Sequence, residues 1–122
     1  MTAQEPYDIA LILIDEVDED GEFTDDAARE KRAPYLIDAL QREIAKAEGI
    51  ETSDITSFTD VLVISDDSAK RILPYGLAAE FALSDGLKEF AARYQNTYDQ
   101  RFKQIGVTIE DFNDDQNVMK GF

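Results

Sequence analysis

The chain has 122 residues, of which 43% are hydrophobic and 32% are charged, and its formal net charge at pH 7 is −15. It has no cysteine and no histidine, which excludes disulfide bonds and thiolate metal sites and removes the side chain most often used as a general base. Lysine and arginine are too few to follow a phosphate backbone, so sequence-specific nucleic-acid binding is disfavoured. No apolar run is long enough to cross a bilayer, and we expect one soluble, intracellular domain.

The negative charge is concentrated in the N-terminal half of the chain. Residues 1–60 hold 17 acidic and 5 basic residues, a balance of −12, whereas residues 61–122 hold 10 acidic and 7 basic residues, a balance of −3. Such a charge can serve solubility alone, attract a basic protein, repel DNA or imitate it.

The first helix is predicted at residues 6–17, because Pro6 suits a first helical turn and the apolar residues after it recur at helical spacing. The apolar block at residues 9–14 also fits a buried strand. The spacing that extends to Val17 favours the helix.

The second helix is predicted from Thr24 or Asp25 to Glu48, where Gly49 provides a stop signal. One apolar stripe runs along it, made by Ala33, Leu36, Ile37, Leu40, Ile44 and Ala47. Pro34 lies inside this pattern and is predicted to kink or split the helix, since it lacks an N–H group and its ring crowds the preceding turn.

Residues 50–66 lose the helical spacing and are rich in serine, threonine and aspartate, which favour turns and caps. The β-branched run at residues 61–64 fits an extended segment, but one such run cannot form a sheet alone. We therefore expect an irregular connection whose apolar residues pack on the helices.

The third helix is predicted at residues 67–83 and includes the most apolar window of the chain, residues 72–83, where only Glu80 is charged. A segment that is apolar on all sides is typical of a buried helix. Pro74 predicts that this helix starts or bends nearby. Small residues at Gly76, Ala78 and Ala79 allow another helix to approach closely.

The fourth helix is predicted at residues 86–105, after a short break, and is expected to end at Gly106. So short a loop makes it the antiparallel neighbour of the third helix, in a helical hairpin over residues 67–105. The predicted fold is an all-α, four-helix domain at residues 1–106, followed by an acidic tail or docking arm at residues 107–122.

Residues 16–27 resemble a calcium-binding loop between two helices. Asp18 and Asp20 match two ligand positions, but Ala27 stands where a bidentate glutamate closes such sites. We therefore predict no specific metal site, with Asp18 and Asp20 as weak candidates. No phosphate-binding glycine loop and no activated nucleophile accompany the many acids, so we predict no catalytic residues, no cofactor and no enzymatic activity.

Three short motifs carry a resemblance to a known family. They are LPYGLAA at residues 73–79, FAARY at residues 90–94, and KRAPYLID at residues 31–38. Together they resemble the small bacteriophage head–tail connector proteins, also called adaptor or neck proteins, over roughly residues 7–104. The motifs are short and apolar, and they specify a pair of helices more than an activity.

The resemblance implies a small helical subunit of an oligomeric ring between portal and tail. The expected partners are other copies of the chain, the portal and the tail-completion proteins, and DNA passes through an acidic channel. The expected location is the virion, and the host cytoplasm during assembly. Residues 107–122 are a candidate arm with four spaced apolar residues as partner contacts: Ile109, Phe112, Met119 and Phe122. Two other functions stay open: an acidic interaction protein, such as a DNA mimic or regulator, and a weak calcium-binding helix–loop–helix protein.

Overall fold

The computed structural model describes residues 1–17 and 26–117, with side chains over residues 1–15 and 27–105. Within these ranges there are five helices: α1 (Gln4–Val17), α2 (Asp26–Glu48), α3 (Asp66–Arg71), α4 (Leu73–Ser84) and α5 (Lys88–Asn117). The same ranges hold no strand beyond one isolated antiparallel bridge between Thr2 and Val61. The predicted all-α class is confirmed.

Helix α4 lies at the centre of the fold and contacts α1, α2, α3 and α5. Its buried residues lie on every side of the helix: Leu73, Pro74, Gly76, Leu77, Ala78, Ala79, Phe81 and Ala82. A helix with neighbours on most sides must be apolar nearly all round, because little of its surface meets water. The buried placement predicted for this segment is therefore confirmed.

The predicted third helix is divided into α3 and α4 at Ile72. This residue ends one helix and begins the next, with φ −113° and ψ −59°. Pro74 occupies the first turn of α4, where its missing N–H group is tolerated. The predicted start or bend near Pro74 is confirmed.

Helices α4 and α5 are joined by a tight turn. Gly86 has φ +77°, in the left-handed region that glycine favours, and the Leu87 N–H group donates to the Ala82 carbonyl at 2.9 Å. Helix α5 then continues through Gly106, so the predicted end at that residue is wrong. A glycine inside a helix costs about 1 kcal/mol relative to alanine, which does not stop a helix unless the chain also turns there.

Helix α2 is continuous across Pro34, so of the predicted kink or split the split is wrong, and a kink stays a prediction. Ala33 and Ile37 are fully buried on either side of the proline, and this packing holds both turns together. The predicted end of the helix is confirmed, since α2 stops at Glu48 and Gly49 has φ +76°.

Residues 50–65 form an ordered connection that is closed onto the N-terminus. The Leu62 N–H group donates to the Met1 carbonyl at 2.9 Å, and the Ala3 N–H group donates to the Asp60 carbonyl at 3.0 Å. Alternate side chains point to opposite sides of an extended chain. Leu62 is accordingly buried, whereas Val61 is 63% exposed, so only part of the apolar run packs on the helices as predicted.

Candidate functional site

Gln41 on α2 anchors the connection from inside the protein. Its side chain is fully buried; Nε2 donates to the Ser53 carbonyl at 2.9 Å, and Oε1 accepts from the Val63 N–H group at 2.8 Å. Because both ends of the amide are used, the connection is held at two points ten residues apart.

Asp38, also on α2, ties a third point of the connection, Ile55, to the helix. Its carboxylate accepts from the Ile55 N–H group at 2.8 Å and from Arg42 Nε at 2.9 Å. Burial alone would raise the pKa of Asp38, but the bonds from Arg42 and Ile55 outweigh it and lower the pKa. Asp60 closes the next turn by accepting from the Thr56 N–H group at 2.8 Å.

Glu48, the last residue of α2, holds the start of α3. Its carboxylate accepts from the Ser65 N–H group at 2.9 Å, from the Ser65 hydroxyl at 2.7 Å and from the Ser68 hydroxyl at 2.6 Å. Ser65 Oγ in turn caps α3 by accepting from the Ser68 N–H group at 3.2 Å. The carboxylates of Asp38, Asp60 and Glu48 therefore hold the connection and the start of α3 in place.

The other acidic residues of this half whose side chains are described are each exposed, and we refer to them together as the acidic surface. They are Glu5, Asp8, Asp15, Glu30, Glu43, Glu51 and Asp54. They lie on α1, on α2 and on the connection, and two of them have partners, Glu43 with Tyr98 and Asp54 with Arg42. By contrast, residues 66–105 hold six acidic and six basic residues and are neutral overall.

A cleft of about 450 Å³ opens between α3 and α5, and we call it the α3–α5 cleft. Its walls are formed by Glu48, Ser65, Asp67, Ser68, Arg71, Ile72, Arg101, Gln104 and Ile105. Arg101 Nη1 donates to the Arg71 carbonyl at 2.7 Å, and its guanidinium lies 4.6 Å from the centroid of the Tyr75 ring. Arg71 Nη1 lies 3.6 Å from an Asp67 oxygen, and the Arg71 side chain is 60% exposed.

Two guanidinium groups beside an apolar floor give the α3–α5 cleft a definite chemistry. Ile72 is 4% exposed and Ile105 is partly buried against the core. Arginine presents a planar fork of donors that suits a carboxylate, and the apolar floor suits an aliphatic or aromatic side chain. The wall of the cleft also holds the Glu48 and Asp67 carboxylates, so its two basic and two acidic residues balance in formal charge.

Two tyrosines of α5 fix this helix to the rest of the fold. The Tyr94 hydroxyl donates to the Leu13 carbonyl at 2.9 Å, and the Tyr98 hydroxyl donates to Glu43 Oε1 at 2.7 Å. Burial, together with the nearby Glu43 carboxylate, raises the pKa of Tyr98 far above its ordinary value of 10.0. Both phenol hydroxyls therefore act as structural hydrogen-bond donors.

The residues predicted as sites lie outside the part of the chain whose side chains are described. The weak metal candidates, Asp18 and Asp20, lie outside the described residues, so weak calcium binding stays a prediction. Within the described ranges, no three acidic side chains are grouped so as to hold a metal ion. None of the described helices is both long and apolar enough to cross a membrane.

The predicted partner contacts are similarly placed. Ile109 and Phe112 fall within α5, but their side chains lie outside the described part, and Met119 and Phe122 lie beyond it altogether. Arg71 and Arg101 were not predicted as site residues. Thirty positions separate them in the sequence. The one sequence feature that pointed to them is the higher share of basic residues over residues 66–105 than in the N-terminal half.

Comparison with protein-family models, with curated proteins and with solved structures finds no match for this chain.

Proposed function

We propose that this protein is a non-catalytic structural subunit, a bacteriophage head–tail connector that forms an oligomeric ring between portal and tail. The observation that carries the proposal is the position of the motifs behind the resemblance. Residues 73–79 and 90–94 belong to the α4–α5 pair at the centre of the fold. A β-carbon at Gly76 would lie 2.8 Å from Leu40 Cδ2 and 2.9 Å from Tyr98 Cδ2. The glycine of the motif is therefore required by close packing.

The distribution of charge supports the same proposal. DNA that moves through a protein channel must not bind tightly to its wall, and an acidic wall repels the phosphate backbone. The exposed acidic residues of α1, α2 and the connection would contribute to such a wall where they face the axis of a ring. The partners would be further copies of the chain, the portal and the tail-completion proteins, with assembly in the host cytoplasm and a final place in the virion.

The test is assembly on a portal. The purified chain is mixed with portal rings of a phage that encodes it, and the mixture is analysed by size-exclusion chromatography with light scattering and by electron microscopy. We expect an added ring of density at the tail-facing side of the portal. A chain that remains monomeric at high concentration and does not associate with portal rings would count against the proposal.

A second candidate function follows from the exposed acidic surface. A surface rich in carboxylates can imitate the phosphates of DNA and occupy the binding face of a basic host protein. The test is capture of a purified host DNA-binding protein by the immobilised chain, with duplex DNA as competitor. Displacement of the captured protein by DNA would favour this candidate over the connector.

A further inference from the structure

The turn between α4 and α5 contains an aspartate followed by a glycine, Asp85–Gly86. Glycine has no β-carbon, so its amide nitrogen can approach the side chain before it without obstruction. The Gly86 nitrogen can form a bond to Asp85 Cγ, while its proton and the carboxyl hydroxyl group leave together as water. The product is a five-membered succinimide ring. Water then adds to either ring carbonyl and restores aspartate or gives isoaspartate, in which the main chain passes through Cγ.

The folded turn holds the two reacting groups in an arrangement that forbids this ring. At Asp85 the angle ψ is 4°, so the Gly86 nitrogen eclipses the Asp85 nitrogen about the Cα–C bond. The ring requires the Gly86 nitrogen to eclipse Cβ instead. Because the nitrogen and Cβ are separate substituents of Cα, the chain must rotate about the Cα–C bond before the ring can close.

Hydrogen bonds of the turn oppose that rotation. The Gly86 N–H group donates to the Leu83 carbonyl at 3.1 Å, and the Leu87 N–H group donates to the Ala82 carbonyl at 2.9 Å. The nitrogen that must attack is therefore also a donor that closes the turn. Rotation at Asp85 breaks both bonds and moves the start of α5 away from the end of α4.

The Asp85 side chain adds little to this protection. Its Oδ2 atom is buried and makes no hydrogen bond within the described part of the chain. The main chain of the turn, and not a hydrogen bond to this oxygen, therefore keeps the carboxyl group from reacting.

We propose that Asp85–Gly86 is a modification site that converts to isoaspartate when the α4–α5 turn opens locally and is protected while the turn is closed. Isoaspartate adds one carbon to the main chain at the turn, which displaces Leu87 from its bond to Ala82. A chain modified in this way cannot close the turn as before. The inference is independent of the connector proposal.

The test follows isoaspartate formation near neutral pH in the folded chain and in the same chain denatured by guanidinium chloride. Trypsin releases residues 72–88, which contain the reacting step. Electron-transfer fragmentation separates the two isomers, which have equal mass. We expect the folded chain to react at least about tenfold more slowly, because the rate is proportional to the population of the open form.

A matched pair of variants tests whether the opening is local. Phe90 and Phe102 are both partly buried against the core on α5, but Phe90 lies four positions after Gly86 and Phe102 lies sixteen. Phe90→Ala should accelerate the reaction of the folded chain about fivefold or more, whereas Phe102→Ala should leave it within about twofold. Rates of both variants in guanidinium chloride check that the intrinsic reactivity is unchanged, and circular dichroism checks that both are folded.

Two results would overturn the inference. The first is a folded chain that reacts within about tenfold of the denatured chain, since a closed turn would then give no protection. The second is equal acceleration by the two phenylalanine variants, since the reaction would then follow unfolding of the whole domain. Neither result bears on assembly with portal rings, which has its own test.

Discussion

Substitution of Gly76 by alanine tests the central packing of the fold. The added β-carbon would lie 2.8 Å from Leu40 Cδ2 and 2.9 and 3.0 Å from two ring carbons of Tyr98. Carbon atoms in good contact are about 3.5–4.0 Å apart, so the neighbours must move by about 0.5–1 Å. Leu40 can change rotamer, but Tyr98 is held by its hydrogen bond to Glu43 and by stacking on Phe102 at 5.7 Å.

Two opposing contributions set the magnitude of the change. Alanine is favoured over glycine inside a helix by about 1 kcal/mol. Forcing an extra methyl group into a tightly packed core costs about 1–3 kcal/mol. Because the Tyr98 ring is fixed at both ends, we expect overpacking to exceed the gain, with net destabilisation of about 1 kcal/mol and a fall in Tm of about 4 °C.

The assay is urea denaturation with thermal melting, monitored by circular dichroism. Ala92→Gly, on the exposed side of α5, is the matched control and measures helix propensity without packing. In a Leu40→Ala background the cost of Gly76→Ala should shrink, because the nearest contact is removed. If Gly76→Ala stabilised the protein by the full amount that Ala92→Gly costs, the close approach of α4 to Leu40 and Tyr98 would be refuted.

Three further predictions concern buried or partly buried polar groups. Gln41→Leu should destabilise the protein by about 2–4 kcal/mol, because the Val63 N–H group and the Ser53 carbonyl lose their partner. The rate of hydrogen exchange at the Val63 amide should rise more than the rates at amides within α5, and an equal rise at both would contradict the anchoring role. Tyr98→Phe should reduce the loss of stability at high pH, since a raised pKa gives a contribution that is present below the ordinary value of 10.0 and is lost as pH rises towards the folded value. Ultraviolet titration of the variant should also show one late-ionising phenol fewer, and an unchanged titration curve would contradict the raised pKa of Tyr98. Asp38→Asn should flatten the acid limb of the stability curve, because a lowered pKa gives a contribution that is present above 3.8 and is lost as pH falls towards the folded value. Asp8→Asn, at an exposed position of α1, is the control, and equal flattening by both variants would contradict the role of Asp38.

The helices of this fold could be predicted wherever the pattern of apolar residues is local. The window at residues 72–83 has no polar face, so burial follows from its composition alone. Pro74 marked the break between α3 and α4, since proline is favoured in a first turn. A proline farther along disfavours a helix, but Pro34 shows that it does not always end one. The helix end predicted at Gly106 was wrong, because the end of a helix depends on backbone conformation and not on the presence of glycine alone.

The connection and the cleft could not be predicted in the same way. Whether Val61 or Leu62 faces inward depends on Gln41, which lies about 20 positions earlier in the chain and holds the Val63 N–H group. The α3–α5 cleft forms only where residues 67–72 meet residues 101–105. Such long-range relations have no period in the sequence that local spacing could reveal.

The central place of α4 has a consequence for the order in which the chain folds during synthesis. Helices α1 and α2 precede α4 in the chain, yet both pack against it. At about 5–20 residues per second, translation from Glu48 to Ser84 takes roughly 2–7 s, and during that interval the apolar stripes of α1 and α2 lack the helix that will cover them. The charge of −12 on residues 1–60 opposes contact between neighbouring nascent chains in this interval. We therefore expect the acidic half to slow aggregation of the growing polypeptide until its core helix has been made.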